Sequence, residues 1–486
     1  MVSGLIYTPW MISKIGQSNY GLYTLASSLI SLLVLDFGIS AAITRFLSKY
    51  NAAKDQNSIN NFLGLVYKLY LGIDSLIFLV LAVIFFLIEN IYTQLTPAEL
   101  DIFKDLYLVV ALHSVATFPF VTTTSIFNAY ERFAELKICE LLRKVFIIVA
   151  MIIALLMGCG VRALVVVNAL SSVVSVIYKV VVIKLKTPIK INFKFYDKGL
   201  LKEIFGFSIW TTISSLAQRL LLTVTPSIIA MVSAAGSVSV AIFGLGVTIE
   251  SYVYTFANAI NGMFMPRISK IIHDGKKDTQ LLPLMIKIGR IQCMIVGLLV
   301  VGFICVGESF IVHIWNKPEF SESYICAVLL IVPTLFSMPM QIANTTLIVE
   351  NKVKLNAYVM IATGLLNICC SFFLSKQFGA IGASISIFIA YMFSNIALAI
   401  IYKKVLNIDM KTFCKQTYLK IMPYLLITII VGLLLEQFNP ITNVFIRFMV
   451  NGAAIVGIFG VLMLTSFMNK YEKNLIFGVF KKLKKH

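Results

Sequence analysis

Six ionisable residues stand inside long apolar stretches of this chain: Asp36, Asp74, His113, Arg219, Glu250 and, nearer a segment end, Arg447. A charge held in such surroundings is costly unless it faces protein or water, so each marks a candidate site. Arg219 lies about sixteen residues, roughly 24 Å at the rise of an α-helix, from one end of its segment. Glu250 lies at nearly the same depth on the next segment, which places the two to pair. The guanidinium of such a pair can exchange its carboxylate for an incoming anion such as a diphosphate, which its fork of donors suits. A structural ion pair within a bundle is the other reading. Asp36 precedes Phe37-Gly38, and an acid beside glycine in mid-segment predicts a local break lining a polar cavity. Asp36, Asp74 and Glu250 are the candidate carriers of a coupling proton or cation, with a satisfied polar core as the alternative. His113 reads as a core histidine hydrogen-bonded to a neighbouring helix. Gln218 and Asn258, with Asn261, Gln341, Asn344, Asn367 and Asn395, add uncharged hydrogen-bonding groups that also glue helices together. Arg45, Lys49, Arg267, Lys270, Lys287 and Arg290 gather near segment ends. There they form either a basic ring that draws in a phosphorylated headgroup or ordinary anchors. The candidate headgroup residues are therefore Arg219, Glu250, Gln218, Asn258, Arg45, Arg267 and Arg290.

The elements that position these groups are membrane helices. The 486 residues are 59% hydrophobic and 13% charged, too little polar surface for a soluble globule of this size. Thirteen mostly uncharged stretches, about 20–44, 61–88, 105–128, 145–158, 163–183, 204–232, 239–264, 284–307, 324–347, 355–375, 380–402, 421–435 and 444–468, approach or exceed the length that crosses a bilayer. Residues 1–14 offer a fourteenth, short and interrupted by Pro9, which suggests a start upstream of Met1. Of the 41 lysines and arginines, 34 fall in alternate gaps between these stretches. By the positive-inside rule those gaps, and with them the C-terminus, are expected to be cytoplasmic. The net charge of +19 is thus spread along segment borders, which fits anionic lipid headgroups and not nucleic acid. The eight cysteines show no metal-ligand spacing and no disulfide framework, and no metal or cofactor is expected. The tail from Asn469 to His486 alternates apolar residues with lysines, as an interfacial helix would.

The chain carries an internal repeat. LSKYNAAKD from Leu47 matches ISKIIHDGKKD from Ile268, YERFAELK from Tyr130 matches VENKVKLN from Val349, and VIYKV from Val176 matches IIYKK from Ile400. The three matches keep one order at nearly one spacing. Pro119 precedes the middle pair in one copy, and Pro333 and Pro339 precede it in the other. The expectation is an all-α polytopic membrane protein of about fourteen helices: a lobe over residues 1–183, a basic linker over 184–202, a second lobe over 203–402, and a terminal helix pair with a basic tail over 403–486. Two like bundles facing a central gap suit an alternating-access carrier.

Two tempting motifs fail. DFG at Asp36 lies in an apolar span with no phosphate-cradling loop elsewhere, and GCGVRA at Gly158 follows no strand. A membrane glycosyltransferase or polymerase of lipid-linked sugars, the alternative of another class, would display a large outer loop with acidic ligands. The outer loops here are short, and no D-x-D occurs.

GQSNYGLYTLASSLISLLVLDFGISAAITRFLSKYNAAKD, Gly16 to Asp55, resembles the N-terminal region of bacterial polysaccharide flippases of the Wzx type, within the group shared with MATE exporters and lipid II flippases. The resemblance continues through Glu131-Arg132, Pro266-Arg267 and Ser269. It implies two six-helix lobes around a cationic cavity lined by helices 1, 2, 7 and 8, with Arg219, Glu250 and Asp36 facing it. It further implies transfer of an undecaprenyl-diphosphate-linked oligosaccharide from the cytoplasmic to the outer leaflet of the bacterial inner membrane, with no catalysis by the chain itself. A proton or sodium gradient would reset the cycle, and polysaccharide polymerase and glycosyltransferases would be partners. A MATE-like, cation-coupled drug exporter is the alternative within transport; its cavity should be lined by acids.

Overall fold

The computed structural model describes residues 2–33, 39–258, 264–315, 317–350 and 352–474. Asp36, Asn261 and the tail beyond residue 474 lie outside them. The described residues are mostly helical and contain no strand. In chain order the helices are α1 (Val2–Ile15), α2 (Gln17–Leu33), α3 (Ile39–Ala52), α4 (Gln56–Ile91), α5 (Pro97–Thr117), α6 (Thr122–Ala129), α7 (Phe133–Leu156), α8 (Val161–Lys186), α9 (Lys198–Leu222) and α10 (Thr225–Val232). They continue with α11 (Gly236–Asn258), α12 (Met265–His273), α13 (Lys277–Ser309), α14 (Glu322–Ile331), α15 (Thr334–Ser337), α16 (Gln341–Val349), α17 (Val353–Val405), α18 (Met410–Gln416), α19 (Tyr418–Phe438) and α20 (Val444–Leu462).

Among the described residues, nine helical runs are long and apolar enough to cross a membrane. Their outward faces carry large apolar side chains, Phe86 at 81% exposure and Phe373 at 71% among them, as befits a lipid solvent. One run, Val353–Val405, is two of the expected spans meeting at Gly379, whose φ of 53° and ψ of −128° interrupt the helix. Only glycine adopts that backbone at low cost. The α7 segment falls outside the nine because Glu140, Arg143 and Lys144 cut into its apolar stretch.

Local sequence explains the helix ends. Thr96 caps α5 through a capping box, its backbone N–H donating to Glu99 at 2.9 Å, with Pro97 in the first turn. Asp55 caps α4 by accepting from the Ser58 amide at 3.0 Å. Pro119 breaks the α5–α6 run into a 3₁₀ turn at Phe118–Val121, and Pro339 does the same at Met338–Met340 before α16. These two breaks stand at the spacing of the repeat. So do the left-handed backbone positions: Gly16 and Gly236, Lys54 and Gly275, Gly158 and Gly379 all have positive φ, each pair 220 or 221 residues apart. The duplication read from three short sequence matches therefore extends to the turns that shape each copy.

The chain folds into two compact units, Val2–Ala241 with Met360–Gly379, and Ile242–Val359 with the residues from Ala380 onward. In the first, α7 packs on α8, α2 and α8 pack on α5, and α3 packs on α6. The basic linker is docked there: Asn60 accepts from the Lys190 and Asn192 amides at 2.8 and 3.1 Å, and Lys68 donates to the Phe195 carbonyl at 2.5 Å. In the second unit, α13 packs on α19 and α20 around a core that includes Cys293, Val300, Leu425, Ile455 and Phe459.

Candidate functional site

The first unit encloses a polar cavity of ≈ 440 Å³, within the size range of small-molecule sites. Three cations line it: Arg143 from α7, Lys179 from α8 and Arg219 from α9. None of its described lining residues is acidic. The rest of the wall mixes hydroxyl, amide and imidazole groups, including Tyr23, His113, Thr117 and Asn168, with apolar side chains such as Ile30, Phe120 and Val165.

Each cation is positioned by its helix and a polar neighbour. The Arg143 guanidinium donates to the Ser172 hydroxyl at 2.5 Å, and Lys179 donates to Thr124 Oγ1 at 3.2 Å. Arg219 stands near the C-terminal end of α9, and α17 fixes that turn. Asn367 Nδ2 donates to the carbonyls of Leu220 and Leu221 at 3.1 and 3.0 Å, while a Cβ on Gly364 would come within 2.9 Å of Leu220 Cβ. Asn168 donates to the Tyr23 hydroxyl at 3.3 Å across the wall. Three like charges around one cavity repel. An anion seated among them turns that repulsion into attraction. Three cations with no acid among the described lining residues suit an anionic group.

Of the residues singled out in the sequence, Arg219 lines this cavity. His113 does too, and here the expectation of a hydrogen bond to a neighbouring helix is corrected: its Nε2 is buried and has no hydrogen-bond partner among the described residues. Asp74 on α4 is buried away from the lining, with its Oδ1 also lacking a partner among the described residues. Gln218 is exposed beside Arg219, and Arg45 is exposed on α3. Glu250 belongs to the other unit, buried on α11 near Tyr254 and Tyr391. Asn258 and Arg267 are exposed at the end of α11 and on α12. Arg290 is buried on α13 and fully engaged: it donates to Glu472 at 2.6 and 2.9 Å and to the Phe467 carbonyl at 2.6 Å, and lies over the Phe467 ring. Asp36 is outside the described residues.

Arg143 and Lys179 went unread in the sequence because both were counted with the basic gaps. Their depth was the available signal. Arg143 stands ten residues into α7 and Lys179 seven before the end of α8, about 15 and 10 Å from those helix ends.

Helices of this length with apolar outer faces are those of a polytopic membrane protein. Solved structures agree. The chain resembles a lipid II flippase, MurJ, in an inward closed conformation, at TM-score 0.69 and 15% identity over 95% of this chain and 96% of that one. It resembles an inward-facing multidrug resistance transporter of the MATE family at 0.67 and 16% identity, over 83% and 97%. A transporter of the same superfamily from Pyrococcus furiosus, described as having a binding pocket of reverse polarity, follows at 0.57 and 16%, over 84% and 91%. By sequence, residues 2–272 match the family described as polysaccharide biosynthesis protein, and the chain belongs to that family. No curated protein gives a significant match.

Proposed function

We propose that the protein is a flippase that carries an undecaprenyl-diphosphate-linked oligosaccharide from the cytoplasmic to the outer leaflet of a bacterial inner membrane by alternating access. The observation that carries the reading is the cavity lined by Arg143, Lys179 and Arg219 with no acid among its described lining residues. A diphosphate is the headgroup component that such a trio discriminates, and the surrounding hydroxyls and amides suit the first sugars. The family match and the fold shared with a lipid II flippase support the same substrate class. Glu250, Asp74 and Asp36 are the proposed carriers of a coupling proton or sodium ion. The C-terminus and the linker are assigned to the cytoplasm from the distribution of lysine and arginine. Polymerase and glycosyltransferases of the same glycan are the proposed partners.

The fold is also that of multidrug MATE transporters, but a cavity for organic cations requires carboxylates where this one presents cations. In cells whose surface glycan depends on this protein, Arg219→Ala at normal protein level should abolish glycan export. Intact export together with new sensitivity to cationic drugs would establish the exporter instead.

A further inference from the structure

The cationic cavity has an apolar neighbour. A groove of ≈ 220 Å³ runs between α7 and α8, lined by Cys139, Leu142, Phe146, Val174 and Tyr178, together with Ser171. Its wall is almost wholly apolar, and Leu142, Phe146 and Val174 are 54%, 46% and 53% exposed on the lipid-facing side. Arg143 and Ser175 line both spaces. Helical spacing explains how: Ser172, Ser175, Val176 and Lys179 form one stripe of α8 that faces the cavity, while Ser171, Val174, Ser175 and Tyr178 form the adjacent stripe that faces the groove. Arg143 is exposed, and its guanidinium donates to the Ser172 hydroxyl with no carboxylate partner among the described residues.

We infer that the α7–α8 groove holds the first isoprene units of the prenyl chain of the lipid-linked diphosphate, next to the phosphates, while the phosphates lie in the cationic cavity, with Arg143 at the threshold between them. This rests on the reading of the cavity as a lipid-diphosphate site. It makes the seam between α7 and α8 the lateral door through which the lipid enters with its chain left in the bilayer. The groove's chemistry selects the occupant: its apolar side chains suit a hydrocarbon chain, and the one guanidinium it shares with the cavity suits the phosphate to which that chain is esterified.

The test uses the full-length chain in detergent with two probes, undecaprenyl diphosphate and inorganic diphosphate. Val174→Trp fills the groove and should weaken undecaprenyl diphosphate at least tenfold while leaving inorganic diphosphate unchanged. Arg143→Gln should weaken both. A prenyl diphosphate with a photoreactive group in its chain should label α7 or α8 of the parent protein. Labelling elsewhere, or unchanged lipid affinity in Val174→Trp, overturns the inference while the cavity reading stands. Equal displacement of the lipid by phosphatidylglycerol overturns it too, by making the groove a general anionic-lipid site. If Val174→Trp loses inorganic diphosphate as well, its fold is damaged and the labelling of the parent decides. A parent that binds neither probe removes the cavity reading and the groove with it.

Discussion

Glu472→Ala should be among the most damaging single substitutions outside the cavity, because it strands a buried guanidinium. The Arg290 side chain is 7% exposed and that of Glu472 1%, and they meet through two hydrogen bonds of 2.6 and 2.9 Å. Loss of the carboxylate leaves Arg290 with the carbonyls of Phe467 and Gln416 and the face of the Phe467 ring. Breaking a buried pair from one side costs about 3–5 kcal/mol. For a chain of this length that is a fall of roughly 5 °C in melting temperature, since a given free energy moves the midpoint less as the chain grows. Replacing both partners by apolar residues, Arg290→Met with Glu472→Leu, should recover most of the loss, because the desolvation of two charges disappears with them. Thermal unfolding of the purified protein, followed by intrinsic fluorescence, measures both the single and the double variant against the parent. Glu472→Ala melting within about 1 °C of the parent, or a double variant no better than the single, would refute the reasoning. The same variants assign Arg290 its work: transport by a folded double variant makes the arginine a clamp on the chain's C-terminal segment, and lost transport makes it a ligand.

Three further outcomes follow from local geometry. A Cβ on Gly64 would collide with the Asn192 carbonyl, so Gly64→Val should undock the basic linker and speed tryptic cleavage between residues 184 and 202 severalfold, read by mass spectrometry. Burial alone would raise the Glu350 carboxyl, but hydrogen bonds from Lys277 and Lys352 outweigh it and hold the group below its ordinary value of 4.5. A depressed acid stabilises the fold above its unfolded value and loses that contribution as pH falls through its folded value; Glu350→Gln should therefore lower thermal stability at pH 7 and flatten its decline below about pH 4.5. Gly432→Leu should destabilise the α13–α19 contact, because even a Cβ there would come within 2.5 Å of Cys305 Sγ, and its melting temperature should fall by several degrees.

Much of the architecture was legible because membrane helices declare themselves by length and by the cations at their ends. The repeat was legible for a related reason: its turns need particular residues, and the left-handed positions at Gly158 and Gly379 are such turns. The cavity was legible in kind but not in membership. Arg219 stands alone in an apolar stretch and draws the eye, whereas Arg143 and Lys179 stand beside Lys144 and Lys184 and pass for border anchors. Sequence spacing does not say which side of a helix faces a cavity when both neighbours of a residue are plausible. Arg290 was obscure for the opposite reason, since its partner Glu472 is 182 residues away. His113 went the wrong way because a lone histidine in an apolar run carries no mark of the wall it faces.

In the proposed cycle, the three cations of the cavity carry an anionic lipid headgroup across the membrane. Its most direct measurement is leaflet transfer of a fluorescent undecaprenyl-diphosphate-linked sugar in vesicles holding the purified protein, compared with Lys179→Gln, Arg219→Gln and the pair combined. A charge-assisted contact to phosphate contributes about 1.5–3 kcal/mol, or roughly 10- to 150-fold, so each single variant should slow transfer by at least an order of magnitude and the pair should abolish it. Transfer at the parent rate by a folded double variant would exclude the cation-lined cavity as the headgroup's route.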